Sequence, residues 1–108
     1  MVRSTQFAAA YVDSTLGHLL YTVPAGYVAL LKSVSARLRA GGPATLQLYV
    51  KPVGLAYTPA VALFSGVAAS TPQYAELWIV LEAGDTINAL DSVGDSTWIV
   101  SGALLELP

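Results

Sequence analysis

The chain of 108 residues has no cysteine, a single histidine and charged side chains at only 11% of its positions. Without cysteine it has neither a disulfide framework nor a thiolate metal site. Its composition is therefore compatible with both oxidising and reducing compartments. Its five Lys and Arg residues and net charge of −2 do not supply the basic field that nucleic-acid binding requires. No apolar run reaches the length of about 18 residues that a membrane-spanning helix needs. We therefore expect neither a nucleic acid nor a membrane as partner.

Apolar side chains are in excess: they make up 55% of the residues and give a mean hydropathy of +0.59. A domain this small has a large surface relative to its volume and normally needs polar side chains to cover it. Because too few are present, we expect part of the surface to be buried against other subunits. This favours a structural or assembly protein over an enzyme, and it predicts a homo-oligomer. A trimer is favoured, since a small domain with one apolar face closes most simply into a ring.

The length fits one domain, which we place at residues 1–108. Residues 1–6 begin polar and lack the apolar core of a signal peptide, which predicts that the protein is made and kept in a host cytoplasm until assembly. Residues 1–6 are also a candidate N-terminal arm, and both they and residues 104–108 are candidates to reach a neighbouring subunit.

Alternation of apolar and polar residues with a period of two predicts strands along most of the chain. The third strand alternates in its second half, whereas its first half is apolar on both sides and predicts burial of both faces. This pattern predicts an all-β, single-domain, antiparallel β-sandwich with a jelly-roll-like order. About eight short strands are expected, at residues 7–12, 19–23, 27–39, 45–51, 60–64, 74–81, 86–90 and 97–100, the last continuing over 103–107.

Glycine, proline and aspartate mark the turns between these strands. Residues 40–43 are predicted to close a hairpin between the third and fourth strands. Residues 65–72 are predicted to be a loop. Segments 23–26 and 81–85 each end a strand, bend at a glycine and start the next strand, which predicts two matching corners. The structural turn residues of these corners are Pro24, Gly26, Gly84 and Asp85. Gly102 predicts a bulge or a close backbone approach.

Six segments follow one another in a distinctive order along the chain: YTVPAG at 21–26, LKSV at 31–34, LQLYV at 46–50, WIVLEAGDTI at 78–87, VSG at 100–102 and LLEL at 104–107. In this order they resemble a family of small tailed-bacteriophage virion proteins. The resemblance implies a β-sandwich virion component, such as a capsid decoration protein or a tail-associated module, whose partners are copies of itself and a major capsid protein or another virion lattice protein. It implies no catalytic residue.

Catalytic and metal-binding candidates are sparse. His18 could act as a base with Asp13 and Ser14, but no nucleophile elbow or oxyanion loop is visible. A single histidine does not make a zinc site, and a cupin-type enzyme needs several. Asp91 and Asp95 place two carboxylates in one turn, where the alternatives are a calcium site and turn formation. We therefore predict no catalytic residue, no metal and no cofactor, and we do not expect an enzyme.

Trp78 is the residue of greatest interest. It shares its side of a strand with Tyr74, Glu76 and Val80, whereas the opposite side is purely apolar and should face the core. Trp78 should therefore point outward. The alternatives for it are burial in a protein interface, or a platform of tryptophans and tyrosines for sugar binding that would make the chain a carbohydrate-binding or host-recognition module of a tail or fibre.

Arg37 and Arg39 are the one close pair of basic residues, and they share one side of a predicted strand. Two readings stay open for the pair, a solvated face and a patch that binds an acidic partner. The full set of predicted interface residues is Trp78, Tyr74, Arg37, Arg39 and Tyr49.

Overall fold

The structure, a computed structural model, describes residues 2–13, 17–54 and 60–108, of which residues 2–4 by their backbone. Ser14 and Met1, which the sequence places in a candidate site and a candidate arm, lie outside the described residues. Within the described ranges, no helix is long and apolar enough to span a membrane. The strands there are β1 (Val2–Val12), β2 (His18–Thr22), β3 (Tyr27–Leu38), β4 (Ala44–Lys51), β5 (Ala62–Val67), β6 (Pro72–Leu81), β7 (Thr86–Asp91) and β8 (Ser96–Glu106).

Two antiparallel sheets of four strands each form a sandwich, which confirms the predicted all-β class. Sheet A has the order β1-β8-β3-β6 and sheet B the order β2-β7-β4-β5. Between the described strands the chain changes sheets at each connection except the one from β4 to β5, which gives a jelly-roll-like connectivity.

The predicted hairpin across residues 40–43 is wrong. β3 lies in sheet A and β4 in sheet B, so this turn is a corner between the sheets, and the hairpin partner of β4 is β5. Glycines allow a turn to close a hairpin or to change sheets. Here β4 pairs with the distant strand β7 in sheet B, so the turn connects the two sheets and does not close a hairpin.

The core lies between the sheets and takes one side of each strand. Trp98 of β8 is the largest fully buried side chain, and its indole Nε1 donates a hydrogen bond of 2.8 Å to Ser96 Oγ. This bond satisfies the polar atom that burial of a tryptophan takes away from water. In β4, buried Leu46 and Leu48 alternate with half-buried residues, as expected for a strand with one side in the core.

A line of irregular pairing crosses sheet A near Gly102. Phe7 is the extra residue of β1 against β8, and Lys32 is the extra residue of β3 against β8. Such bulges change which side of a strand faces the core. In β3 the buried residues accordingly change from Leu31 before the bulge to Val34 after it. In the first half of β3, the side chains that alternate with the buried ones are apolar as well. Val28 and Leu30 are half-buried, so this part of the strand is covered on both sides.

Gly102 makes the close backbone approach that the sequence predicts. A Cβ atom placed on it would lie 1.9 Å from the carbonyl oxygen of Leu30 and 2.8 Å from Cε2 of Phe7. The Phe7 ring therefore lies against the glycine, and it also packs on the Tyr21 ring of sheet B with centroids 4.8 Å apart. Gly102 therefore allows two contacts at once: the close approach of β8 to β3, and the packing of the Phe7 ring between the two sheets.

Several strand limits differ from those predicted. Residues 2–6 pair with β8 of the same chain as the first part of β1, and their contact with a neighbouring subunit stays a prediction. β5 extends to Val67, into the predicted loop at 65–72, and β6 begins at Pro72. β8 is continuous from Ser96 to Glu106.

Replacement of Gly102 by alanine should destabilise the sandwich strongly, because a backbone carbonyl blocks the new methyl group. We expect the variant to lose about 3 kcal/mol of unfolding free energy, the upper range for overpacking. Urea denaturation measures this loss. Ser101→Ala, at the neighbouring half-buried position, is the matched control and should lose much less. A Gly102→Ala variant as stable as this control would contradict the close approach.

Candidate functional site

β6 is an edge strand of sheet A, and it divides its side chains between core and exterior. Ala75, Leu77 and Ile79 are half-buried and contact the core cluster. The alternate residues Tyr74, Glu76, Trp78 and Val80 are exposed, Trp78 to 75%. The parity expected from the sequence is confirmed, and the most exposed of the large apolar side chains described is a tryptophan.

Apolar side chains on β8 extend this exposed surface across sheet A. Ile99 pairs with Ser35 of β3, which pairs in turn with Tyr74 of β6, so the three share one row of the sheet. Leu105 lies further along β8 on the same side. We name the group the apolar face of sheet A, and its members are Tyr74, Trp78, Val80, Ile99 and Leu105, each at least 41% exposed.

A shallow polar depression lies beside this face, at the line of bulges. Gln6, Ser101 and Ser33 occupy one row across β1, β8 and β3, and they line the depression together with Lys32. The Lys32 Nζ lies 5.7 Å from the centroid of the Trp78 ring, within the range of a cation–π contact. Polar donors and acceptors therefore adjoin the exposed indole, an arrangement that the sequence analysis missed because the bulges are not visible in the sequence.

Arg37 lies near the C-terminal end of β3 and Arg39 directly after the strand, and both line a second shallow depression with Thr97. The Arg39 guanidinium is 3.6 Å from Asp95 Oδ1 and lies 4.9 Å from the centroid of the Tyr11 ring. The two arginines thus project to the same side. Arg39 is already bound to an acidic residue of its own chain, whereas Arg37 is exposed beside it.

The Tyr11 phenol belongs to the same cluster. Its hydroxyl donates a hydrogen bond of 2.9 Å to Asp95 Oδ1. This bond raises the pKa of Tyr11 above its ordinary value, because ionisation would remove the shared proton and place two negative charges together; the Arg39 charge acts in the opposite direction.

The two aspartates of the turn after β7 have separate roles. Asp91 is fully buried, and its carboxylate oxygens accept hydrogen bonds from the backbone N–H groups of Val93 and Asp95 at 2.9 and 2.8 Å. Both oxygens therefore face N–H donors, which suits turn formation and not cation binding. Among the described residues, no three His, Asp or Glu side chains come together as a metal site would need. His18 is half-buried on β2, opposite Ala89.

The two predicted corners bond to each other. The Val23 N–H donates to the Asp85 carbonyl at 3.0 Å, and the Gly84 N–H donates to the Val23 carbonyl at 2.8 Å. Gly26, two residues after Pro24, has a φ of 83° and Gly84 one of 89°, values that favour glycine. The bonds between the two corners therefore hold one end of the sandwich together.

The Asp85 side chain reinforces this end. Its carboxylate accepts hydrogen bonds from the N–H groups of Glu82 at 2.9 Å and Val53 at 3.0 Å. It therefore links its own turn to the segment that follows β4.

Tyr49 and Trp98 are not part of the face around Trp78. Tyr49 is half-buried on β4 in sheet B, and its hydroxyl donates a hydrogen bond to Gln47 Oε1 of the same strand. Trp98 is in the core and is only 1% exposed, so a sugar platform that includes it is wrong. The sequence carries a signal for this: Trp98 shares its side of β8 with Val100, another core residue.

No protein-family model matches the chain, and no curated protein matches its sequence. Solved structures do share its fold. A subunit of Bacillus endospore appendages, described as disulfide-linked pili, matches with a TM-score of 0.56 at 15% identity, over 99% of this chain and 89% of that one. The D431N mutant VP2 of infectious bursal disease virus, from derived T=1 particles, matches with a TM-score of 0.57 at 14% identity. That match covers 96% of this chain but only 30% of VP2, so the chain spans about a third of the viral protein.

Substitution of Asp95 by asparagine should lower the pKa of Tyr11, because the carboxylate that raises it is removed while Arg39 stays. Since the folded-state pKa is raised, the contribution of this bond to stability is present at neutral pH and is lost only as the pH rises through the Tyr11 pKa. A spectrophotometric titration of phenolate absorbance measures the shift, with Tyr11→Phe identifying the signal. An unchanged Tyr11 titration in Asp95→Asn would contradict the hydrogen bond.

Proposed function

We propose that this chain is a non-enzymatic structural subunit of a virion, and that it acts as a decoration or cementing protein on the capsid of a tailed bacteriophage. It would bury apolar surface against copies of itself and against a major capsid protein or another lattice protein. The predicted oligomer is a trimer. The predicted interface residues on sheet A are Trp78, Tyr74, Arg37 and Arg39, and Tyr49 is a candidate for contacts on sheet B.

The apolar face of sheet A is the observation that carries this proposal. Single exposed apolar side chains are normal on a protein surface, but a group of them on one face points to an interaction site. Here five large apolar side chains share the exterior of two strands, and the most exposed is a tryptophan, a residue type enriched at the centres of interfaces.

The energetics suit an assembly with many copies. At about 25 cal/mol per Å2, a standard interface of roughly 1,600 Å2 contributes on the order of tens of kcal/mol gross, and ordering costs offset most of it. Each contact therefore adds a modest net free energy. Repetition around a closed shell multiplies that gain, which is how a small protein can stabilise a large particle.

The fold likeness and the family resemblance support the same proposal. The structures that share the fold were solved as pili and as virus particles, which are both assemblies of repeated subunits. The residues that resemble phage virion proteins form strands and corners of this sandwich. The likeness concerns the fold, and the apolar face adds a reason specific to this chain.

The solution mass tests self-association. Light scattering on a sizing column should give a multiple of 11.2 kDa, with three copies predicted. The double variant Trp78→Ser/Val80→Ser should raise the dissociation constant at least about tenfold, because it removes central apolar contacts. The matched control is Leu19→Ser/Leu63→Ser, which removes two side chains exposed to 56% and 57% on sheet B and should keep the unsubstituted mass. A monomer at every concentration, or equal effects of both double variants, would contradict the proposal.

One observation favours a second candidate function, a carbohydrate-binding or host-recognition module. The Trp78 indole adjoins a depression lined by Gln6, Ser33, Ser101 and Lys32, and an aromatic face beside hydroxyl and amide groups suits a sugar ring. This function requires the Trp78 side chain to remain exposed to solvent in the assembled particle.

Glycan binding at Trp78 has its own test. If the second candidate is correct, an oligosaccharide array should show binding, and the ligand should change the fluorescence of the exposed Trp78. The Trp78→Phe variant should lose that fluorescence change while buried Trp98 still emits. An array without binding would remove this candidate and leave the structural subunit.

A further inference from the structure

The free edge of β6 is the feature of sheet A that lacks a partner. β6 pairs with β3 on one side, and no described strand pairs with its other side. It is ten residues long, and its unpaired N–H and C=O groups can accept another strand. Natural edge strands are usually protected by lysines, prolines, bulges, short length or charges that point inward. β6 begins with Pro72, and its pairing with β3 is irregular between Glu76 and Ile79. Residues 73–81 contain neither lysine nor proline, and their one charged residue, Glu76, points outward.

Both sides of β6 are suited to pairing. Tyr74, Trp78 and Val80 are exposed on the outer side, and Leu77 and Ile79 are only half-buried on the inner side. The strand keeps its strict alternation even where its pairing with β3 is irregular. A second strand laid along the edge would therefore cover apolar side chains on both sides of the sheet.

The register of a pair of β6 strands follows from parity and charge. In an antiparallel pair, opposite residues must lie on the same side of the sheet, so a two-fold axis through the pair must pass beside one residue and its copy. Glu76 and Leu77 are the two residues at the centre of β6. An axis at Glu76 sets two like charges opposite each other, which is destabilising. An axis at Leu77 avoids this and pairs residues 73–81 with their copies.

Charge complementarity supports the axis at Leu77. In that register Glu76 lies opposite Trp78 of the second copy, and Tyr74 opposite Val80. Within one copy, the Lys32 ammonium lies over the Trp78 ring. Because Trp78 is opposite Glu76 of the second copy, that Lys32 and that Glu76 lie on the same side of the sheet, with the Trp78 indole between them. Each Glu76 would thus gain a cation, and the arrangement occurs twice by symmetry.

We propose that β6 binds β6 of a second copy of this chain in antiparallel register about a two-fold axis at Leu77, joining two A sheets into one of eight strands. The inference rests on the proposed function, because it names the partner and part of the contact. It adds a contact of a distinct kind: a two-fold pair joins two copies, either as a free dimer or between two rings, and does not itself form a ring.

Cysteine cross-linking tests this register without interference, because the natural chain has no cysteine. The single variant Leu77→Cys places the two thiols opposite each other, within the distance that a disulfide spans. After oxidation with diamide, a non-reducing gel should show at least about tenfold more two-chain product than the control, because the effective concentration across the axis is high. The control is Leu63→Cys, exposed on sheet B.

A second pair of variants covers the case in which Leu77→Cys does not fold. Tyr74→Cys and Val80→Cys replace exposed side chains, at 63% and 67% exposure, and should fold normally. In the proposed register each lies opposite the other. Neither should form much product alone, because each thiol is about 20 Å from its own copy along the strand. An equimolar mixture of the two variants should give the two-chain product.

The outcomes separate this inference from the proposed function. Cross-linking of Leu77→Cys or of the mixture, above the Leu63→Cys control, supports the β6 pair. If the chain self-associates by light scattering but neither product forms, the β6 pair is wrong and the structural role stands. If Tyr74→Cys alone cross-links as well as the mixture does, the register is wrong. If the chain is monomeric throughout and nothing cross-links, both proposals fail.

Discussion

The shortage of polar side chains is the constraint on which the rest of this structure depends. A two-sheet sandwich buries one side of each strand, and in a chain that is 55% apolar that side does not accommodate all the apolar residues. The surplus appears on the outside, where Trp78, Val80 and Ile99 are exposed on sheet A. The same shortage leaves β6 with a single charged residue, Glu76, along its length. The core of the sandwich is thus closed, while part of its outer surface consists of exposed apolar side chains.

The contact at Gly102 connects the interior of the molecule to its exterior. Because β8 and β3 approach so closely there, no side chain fits, and the Phe7 ring occupies the space on the core side. The accompanying bulges turn Lys32 outward beside Trp78. A packing requirement of the core therefore shapes the depression next to the exposed indole and places the Lys32 ammonium beside the middle of the edge strand.

The two ends of the sandwich are held by backbone hydrogen bonds and carboxylates. At one end the Asp85 carboxylate accepts hydrogen bonds from N–H groups of two separate segments. At the other end the Asp91 carboxylate accepts two hydrogen bonds from N–H groups of the turn that follows it. Asp95 instead accepts the Tyr11 hydroxyl and the Arg39 guanidinium. Two of the seven acidic residues, Asp85 and Asp91, thus stabilise turns and carry no charge to the sheet faces.

The sequence by itself determined which segments form strands and which side of β6 faces outward, because alternation is a local property of a strand. Parity placed Trp78 on the exterior before any partner strand was known, and the glycines at 26 and 84 marked turns because few other residues adopt a positive φ. The tertiary structure decided which strands pair. Residues 40–43 would suit a hairpin, but β4 pairs with β7 and β5. It also decided that Lys32 lies beside Trp78 and that Arg39 binds Asp95. These contacts join residues far apart in the chain, and local pattern carries no information about distant partners.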